Sequence, residues 1–462
     1  MFEEYFAARK RLYPQQAKGR FRRLKWILNS FFLSVYFFTP LLRFHRGEDA
    51  PNQAILIDLQ GGKAYFFGIE IWPQEIYYLA AILVIAAVAL FFITSLFGRI
   101  WCGYACFQTV WTDIFIALEH LFQGDRNARI ILDRKNNFEK FRKKFLTHAS
   151  WILVSLLTGY GFVAYFNDAF QLFFDTFSGK ISFTVVGWIL GITASTYVFA
   201  GFAREQICTY MCPYARFQSA MFDDNTLIIS YDEKRGEPRQ KWDGDVNKTS
   251  SHCIDCKQCV VVCPTGIDIR NGLQMECIAC GLCIDACDNV MEKIGLPKGL
   301  IRYDTLANLS DPRPEKKFKA LRPRSFFYTA ILTLICVLML KALLFKKPIE
   351  TSVIPNRNPL FVMLSNGDIR NDYELKILNK THQKKTFTLA INHPNEARLK
   401  LQNEGSPAFE VEAGVGKSFK ISIIFPKETL AQSDEKRALV QLFLTDLADK
   451  KTQKISAVFV GK

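Results

Sequence analysis

Residues 253–287 read Cys253-Ile-Asp-Cys256-Lys-Gln-Cys259-Val-Val-Val-Cys263-Pro264, and then Cys277-Ile-Ala-Cys280-Gly-Leu-Cys283-Ile-Asp-Ala-Cys287. Each half is C-x2-C-x2-C-x3-C, and together they hold eight of the 13 cysteines in the chain. Three thiolates spaced this way reach three irons of a [4Fe–4S] cube, and the fourth ligand of each cube comes from the other half. The pattern therefore predicts one cluster on Cys253, Cys256, Cys259 and Cys287, and a second on Cys263, Cys277, Cys280 and Cys283. A zinc site uses two C-x2-C pairs or mixes Cys with His, and does not need a doubled run of four. Such a chain moves electrons one at a time.

Working outward, the surroundings are membranous. The chain has 462 residues, 49% of them hydrophobic, with 41 Phe. Five apolar runs reach bilayer-crossing length: Leu24–Leu42, Ile76–Phe97, Phe145–Phe166, Ile181–Ala203 and Ser325–Phe345. The first is too long for a removable signal peptide and lacks a small-residue cleavage site. A net charge of +15 is distributed by loop. Residues 1–25 carry eight Lys or Arg against two acids, and residues 98–144 carry nine basic groups. Arg313, Lys316, Lys317, Lys319, Arg322 and Arg324 precede the fifth run. Residues 43–75 carry three basic groups against five acids, and the only one in 167–180 is Lys180. This alternation follows the positive-inside rule, so the charge reads as topology and not as nucleic-acid binding. It places the N-terminus and residues 204–324 in the cytoplasm, where thiols stay reduced, and the C-terminus outside. Lys341 stands near the outer end of the fifth run and snorkels to the interface.

The expected organisation is a basic arm over 1–23, a four-helix membrane domain over 24–220, a cytoplasmic region over 221–324, a fifth span over 325–345 and an outer domain over 349–462. The cytoplasmic region holds a two-cluster ferredoxin-like insert at about 245–300. In the first outer loop, Ile55, Ile57 and Leu59 precede Gly61-Gly62, and Tyr65, Phe67, Ile69 and Ile71 follow, a β-hairpin pattern. The loop from Asp168 to Lys180 is aromatic and suits the interface. Beyond Ile349, alternating runs such as Tyr373-Glu-Leu375-Lys-Ile377 and Phe419-Lys-Ile421-Ser-Ile423 are punctuated by turns at Asn366-Gly367, His393-Pro394-Asn395 and Gly405-Ser406-Pro407. They predict an Ig-like β-sandwich of seven or so strands.

A second constellation is a weak internal repeat. The second span runs into Arg99-Ile-Trp-Cys102-Gly-Tyr104-Ala-Cys106, and the fourth into Arg204-Glu-Gln-Ile-Cys208-Thr-Tyr210-Met211-Cys212-Pro213. Both contain C-x-Y-x-C, and Phe107-Gln108 and Phe217-Gln218 follow at different offsets. Cysteines at i and i+4 share a helix face, so two pairs at equivalent helix ends converge four sulfurs. Soft thiolates select Cu(I), zinc or iron–sulfur clusters. Arg99 and Arg204 favour the thiolate; Met211 and Met221 read as core packing first and as soft thioether ligands second. Cys336, alone in the fifth span, reads as a packing residue. His252, beside Cys253, reads as solvated. Neither a bis-histidine haem site nor C-x-x-C-H is present, and there is no Gly-rich nucleotide fingerprint or P-loop.

Taken together, the inner basic arm, Trp101-Cys102-Gly-Tyr-Ala-Cys106, Cys208-Thr-Tyr-Met-Cys212-Pro213, the doubled cluster motif, the fifth span and the outer Ig-like domain resemble the FixG/RdxA/CcoG family of cytochrome c oxidase accessory proteins. The resemblance implies a multi-pass protein of the bacterial inner membrane, N-terminus cytoplasmic and C-terminal domain periplasmic. It implies two [4Fe–4S] clusters and a cupric reductase that makes Cu(I) from Cu(II) for assembly of cbb3-type cytochrome oxidase. Cys102, Cys106, Cys208 and Cys212 would be the catalytic, copper-handling site. The first pair is followed by Phe107 where the second has Pro213, which leaves unequal roles open. Expected partners are membrane lipid, a cytoplasmic electron donor, and copper chaperones or assembly factors of the cbb3-type oxidase. Homo-oligomerisation is left open, and nucleic acid is not expected. The alternatives are a quinol dehydrogenase like NapH or NosR and a non-enzymatic copper chaperone or assembly scaffold.

Overall fold

The computed structural model of the chain describes residues 12–47, 50–242, 251–310, 318–392, 397–401, 408–426 and 437–461. The first eleven residues of the basic arm, Arg313, Lys316 and Lys317, and the turns at 393–395 and 405–407 lie outside the described residues. The chain divides near Met339 into two compact units.

Five helices of the described residues are long and apolar enough to cross a membrane: Arg20–Leu41, Pro73–Phe97, Phe138–Val163, Phe183–Met211 and Pro323–Leu344. Their ends follow from local chemistry. Pro40 lies in the 3-10 turn Thr39–Leu41 that ends the first, and Gly98, at φ 56°, stops the second in a conformation that suits glycine. Asn137 caps the third by accepting from the Lys140 amide at 3.0 Å. That helix begins seven residues before the apolar run. A Glu139–Lys143 ion pair at 2.7 Å supports its polar first turns, and apolarity alone does not register them. The basic segment expected as a loop is itself largely helical, at Phe107–Gln123 and Arg126–Arg134. Its apolar residues are spaced and not continuous, and Phe115 and Ile116 are buried on the same side as the polar Asp113, Glu119 and Gln123. The aromatic loop is a short helix, Ala169–Phe177, capped by Asp168 and exposing Phe173, Phe174 and Phe177. The hairpin at 55–66 forms as β1 (Ile55–Asp58) and β2 (Lys63–Phe66), with β3 (Ile69–Ile71) added antiparallel.

The cysteine-rich segment is fastened to the first span. The helix Leu282–Lys293 carries Cys283 and Cys287 and packs beside a two-stranded sheet of β4 (Ile228–Tyr231) and β5 (Ile301–Asp304). Its Asp285 carboxylate accepts from the amides of Phe21 at 3.2 Å and Arg22 at 2.8 Å, so it caps the first span from another part of the chain. The Phe21 ring lies 5.5 Å from that of Tyr303. One turn on, buried Asp113 binds Lys25 at 3.2 Å, Arg22 at 3.0 Å and Asn29 at 3.2 Å. Burial works against the Asp113 carboxylate, but Lys25 and Arg22 outweigh it and hold its pKa below the ordinary value.

The second unit contains β6 (Ile349–Pro355), β7 (Val362–Met363), β8 (Ile369–Asn379), β9 (Lys385–Ile391), β10 (Arg398–Leu401), β11 (Ala408–Val411), β12 (Gly416–Phe425), β13 (Arg437–Asp446) and β14 (Thr452–Val460). One sheet has the order β10-β12-β8-β6, with β7 also on β8, and the other β11-β9-β13-β14. Every second residue of β8 from Ile369 to Asn379 is buried. Leu375, Ile421 and Ile423 of the first sheet pack into one core with Val411, Leu442 and Phe459 of the second. Tyr373 Oη donates across the sandwich to the Val458 carbonyl at 2.9 Å.

Candidate functional site

Two cavities divide the eight clustered cysteines. One is lined by Cys253, Cys256, Cys259 and Cys287. The other is lined by Cys263, Cys277, Cys280 and Cys283, with Cys259 also in its wall. The structure thus brings together the residues of each expected ligand set, and Cys259, shared by both walls, makes the cavities neighbours. The chain wraps each with the same backbone device. Asp255 and Lys257 flank Cys256 at φ 48° and 58°, and Ala279 and Gly281 flank Cys280 at φ 51° and 74°. Left-handed residues other than glycine are held at a cost, and such turns aim successive amides into a concavity that suits an anionic group. A side chain on Gly281 would also meet the Phe21 ring. Arg270 closes the first cavity and is pinned by Asp255 at 2.5 Å and Asp268 at 2.7 Å.

The donor chemistry fits [4Fe–4S] groups. The two linings contain no His and no carboxylate, only sulfur, aliphatic residues, Tyr231, Thr265, Lys257 and Arg270. Burial pushes the thiols of Cys259, Cys277 and Cys287 up to about 12 and that of Cys280 to about 11. Burial likewise raises Cys283 well above its ordinary value. Such thiols stay protonated until a thiophilic metal displaces the proton. Among the described residues no three His, Cys, Asp or Glu are closed around a single ion. The sulfurs of each set line one cavity instead.

The four remaining membrane-side cysteines share one neighbourhood, without three of them closing on a single point. Cys208 lies within electrostatic reach of Cys106, Cys102 and Cys212, and Cys106 within reach of Cys212. Neither pair lies on an unbroken α-helix, which corrects the shared-face expectation. Cys102 is on the short helix Ile100–Tyr104, whereas Cys106 is extended and caps the next helix, Phe107–Gln123. Cys208 sits in a π-helical turn, Ile207–Met211, and Cys212 is extended after it. Breaking the helix between the two cysteines frees each sulfur from the face its spacing would dictate. Burial raises the pKa of Cys102, with Arg99 opposing; burial also raises that of Cys106, with the amides of Gln108 and Thr109 opposing.

The glutamines after each pair cross over. Gln218, from the second half, accepts from the Cys102 thiol at 3.1 Å and from Arg99 Nε at 3.2 Å. Gln108, from the first half, donates to the Phe199 carbonyl at 3.0 Å and reaches that of Arg204 at 3.5 Å. Each half thus steadies the other. The two arginines are not equivalent. Arg204 binds Glu119 at 2.8 and 3.1 Å and lies over Trp151, away from the role expected beside Cys208. Met211 is exposed. Cys336 is exposed on a span with no buried residues in its apolar window, so it is not a packing residue. His252 accepts from Arg235 Nε at 3.2 Å instead of facing only solvent.

The four-cysteine cluster abuts the second cavity. A Cβ on Gly103 would lie 2.6 Å from the Ile278 carbonyl oxygen and 3.0 Å from the Cys280 Cα, so only glycine allows this approach. Tyr104 Oη donates to the Cys280 carbonyl at 2.9 Å, and Arg99 donates to the Met275 carbonyl. No motif points to Lys25, Asp113 or Asp285, and none assigns Tyr104 a role. The C-x-Y-x-C repeat contained the signal for Tyr104, but nothing local signals the other three.

Comparison with known proteins agrees with this layout. Residues 203–306 match the 4Fe-4S dicluster domain, residues 79–126 a 4Fe-4S binding domain, and residues 339–462 the Ig-like fold at the C-terminus of FixG. Nitrogen fixation protein FixG of Rhizobium meliloti is 39% identical over 475 residues, 94% of this chain and 90% of its own. RdxA of Cereibacter sphaeroides is 44% identical over 423 residues, 89% and 88% of the two chains. RdxB of the same organism is 43% identical over 470 residues, 99% and 97%. With five membrane-length helices and 4Fe-4S domains, this is an iron–sulfur electron-transfer protein of the membrane, and the chain belongs to the FixG family.

Proposed function

We propose that the chain is a cupric reductase serving assembly of cbb3-type cytochrome oxidase. One observation carries this reading: the Cys102–Gly103–Tyr104 turn is packed directly on Cys280, leaving little space between a soft-ligand site and the thiol-lined cavities. When bound, [4Fe–4S] groups held by Cys253, Cys256, Cys259 and Cys287 and by Cys263, Cys277, Cys280 and Cys283 supply single electrons. Cys102, Cys106, Cys208 and Cys212 bind copper ion as substrate. Each Cu(II) takes one electron and becomes Cu(I), the state that thiolates prefer. Gln218 holds the Cys102 sulfur in place, and Arg99 offsets the negative charge of the thiolates. The distribution of basic residues supports a cytoplasmic face of a bacterial inner membrane for this site, and in this reading the Ig-like unit docks assembly factors on the other side.

The test is anaerobic. Purified protein, reduced with dithionite and freed of excess reductant, is given Cu(II), and Cu(I) is read with a chromogenic chelator. Wild type should yield Cu(I) in proportion to its iron–sulfur content. Cys208→Ala with Cys212→Ala should lower the rate at least tenfold with iron content unchanged. An unchanged rate would remove these cysteines from the reaction.

A further inference from the structure

A cavity of about 610 Å³ lies where the third and fourth spans meet the helix Phe107–Gln123. This is the size of a small-molecule site. Its walls include Trp151, Phe202, His148, Glu119, Arg204 and Pro264. The proposed copper reaction uses none of them.

Three features point to an occupant. First, one side is an aromatic panel. His148 stacks on Phe202 at 6.2 Å and meets the Trp151 ring edge-on at 5.0 Å, and Trp151 stacks on Phe115 at 5.0 Å. A planar ring is the natural partner of such a panel. The facing side is polar, with Glu119 held by Arg204. Second, the fourth span is π-helical at Phe199–Ala203, where it forms this wall, a distortion common at functional sites. Third, the cavity touches Pro264, whose chain neighbour is Cys263 of the second thiol set. Two of its walls are helices of membrane length, Phe138–Val163 and Phe183–Met211, beside the arm at Leu12, Tyr13 and Pro14, and these two spans suit an occupant that lives in lipid. A flat ring with hydrogen-bonding groups and an apolar tail meets all three conditions.

We infer that this cavity binds the headgroup of a membrane hydroquinone and admits the electrons. This rests on the proposed reductase reading and supplies its donor from lipid in place of a soluble one. Oxidation of the hydroquinone breaks two O–H bonds, forms the quinone and releases two electrons and two protons. The two cysteine sets would hold [4Fe–4S] groups, one-electron acceptors that together match the two electrons released. His148, beside the aromatic panel, takes one proton and Glu205, also in the wall, takes the other; Glu119 stays paired with Arg129 and Arg204.

The test uses full-length protein in detergent and the fluorescent quinol analogue 2-heptyl-4-hydroxyquinoline N-oxide. Its fluorescence should be quenched saturably, at one site per chain. His148→Ala and Phe202→Ala should each raise the Kd at least tenfold with iron content intact, and Cys336→Ala should leave it unchanged. Quenching no greater than in empty micelles, equal Kd in all variants, or displacement by flavin mononucleotide but not by menadiol would overturn the inference. Dithionite-reduced His148→Ala should still make Cu(I) at the wild-type rate, because the donor step is bypassed. Loss of that rate, with binding as expected in wild type, counts against the copper reading and not against the cavity.

Discussion

The two cysteine constellations adjoin each other but are held by different means. The eight clustered cysteines are positioned by their own loops, with left-handed residues at matching places beside Cys256 and Cys280. The four membrane-side cysteines are positioned by distant residues: Gln218 holds Cys102, Gln108 holds the turn before Cys208, and Gly103 fits the backbone at Cys280. A site built by local spacing announces itself in sequence. A site built by crossed tertiary contacts shows only its ligand types. The first should therefore tolerate changes elsewhere in the chain, and the second should not.

The largest effect should come from within the first constellation. Cys277→Ala removes one member of the second set, and iron should fall from about eight per chain to about four, at four per cluster. Elemental analysis of anaerobic protein checks this, and retention of about eight would break the assignment of Cys277. Next comes the contact between the sites. Gly103→Val places a side chain against the Ile278 and Cys280 backbone, so the two sites must separate. Cu(I) formation should drop at least tenfold with iron retained. An unchanged rate would show that this contact is not on the electron path.

Smaller effects test the supports. Asp285→Ala leaves the Phe21 and Arg22 amides without their acceptor and should cost about 1 kcal/mol, the typical value of a helix cap. Hydrogen exchange at those amides should rise about fivefold, while the loops around Cys253 stay protected. The β-sandwich offers the remote control. Lys385 binds Asp449 at 2.6 Å and Asp446 at 3.0 Å. Those two carboxylates raise the pKa of Lys385. Burial opposes the Asp446 carboxylate, but Lys385 and the amides of Ala448 and Asp449 outweigh it and lower the pKa. The Asp446 contribution is present above about pH 4 and is lost as pH falls through its lowered pKa; that of Lys385 is present below about pH 10.5 and is lost as pH rises through its raised pKa. Exchange protection of β9 and β13 should therefore be flat between those limits and fall outside them. Lys385→Met should reduce it by about 1 kcal/mol at pH 7, discounted for the exposed Asp449. Cu(I) formation should not change.

The sequence revealed whatever depends on near neighbours. The C-x2-C-x2-C-x3-C runs, the five apolar stretches, the Gly61-Gly62 hairpin and the alternation in β8 are all local patterns, and each is found in the fold. The polar helical turns of residues 138–144, the helix breaks inside both C-x3-C pairs and the π-helical turn at 199–203 were not legible, because they form against partners far along the chain. The spacing of Cys102 and Cys106 suggested one helix face, whereas the buried contacts of Gln218, Thr109 and Tyr104 set a break. The exposure of Cys336 has the same cause: composition gives a span, but only packing tells which face meets protein.

The central claim is that Cys102, Cys106, Cys208 and Cys212 form a copper-handling site separate from the iron–sulfur ligands. Metal analysis of the variant with all four changed to alanine, beside wild type and after Cu(I) loading, tests it directly. About eight irons per chain are expected in both proteins, with bound copper lost from the variant. A wild type holding more than eight irons, with the excess lost from the variant and copper binding unchanged, would make these cysteines ligands of a further cluster and contradict the account.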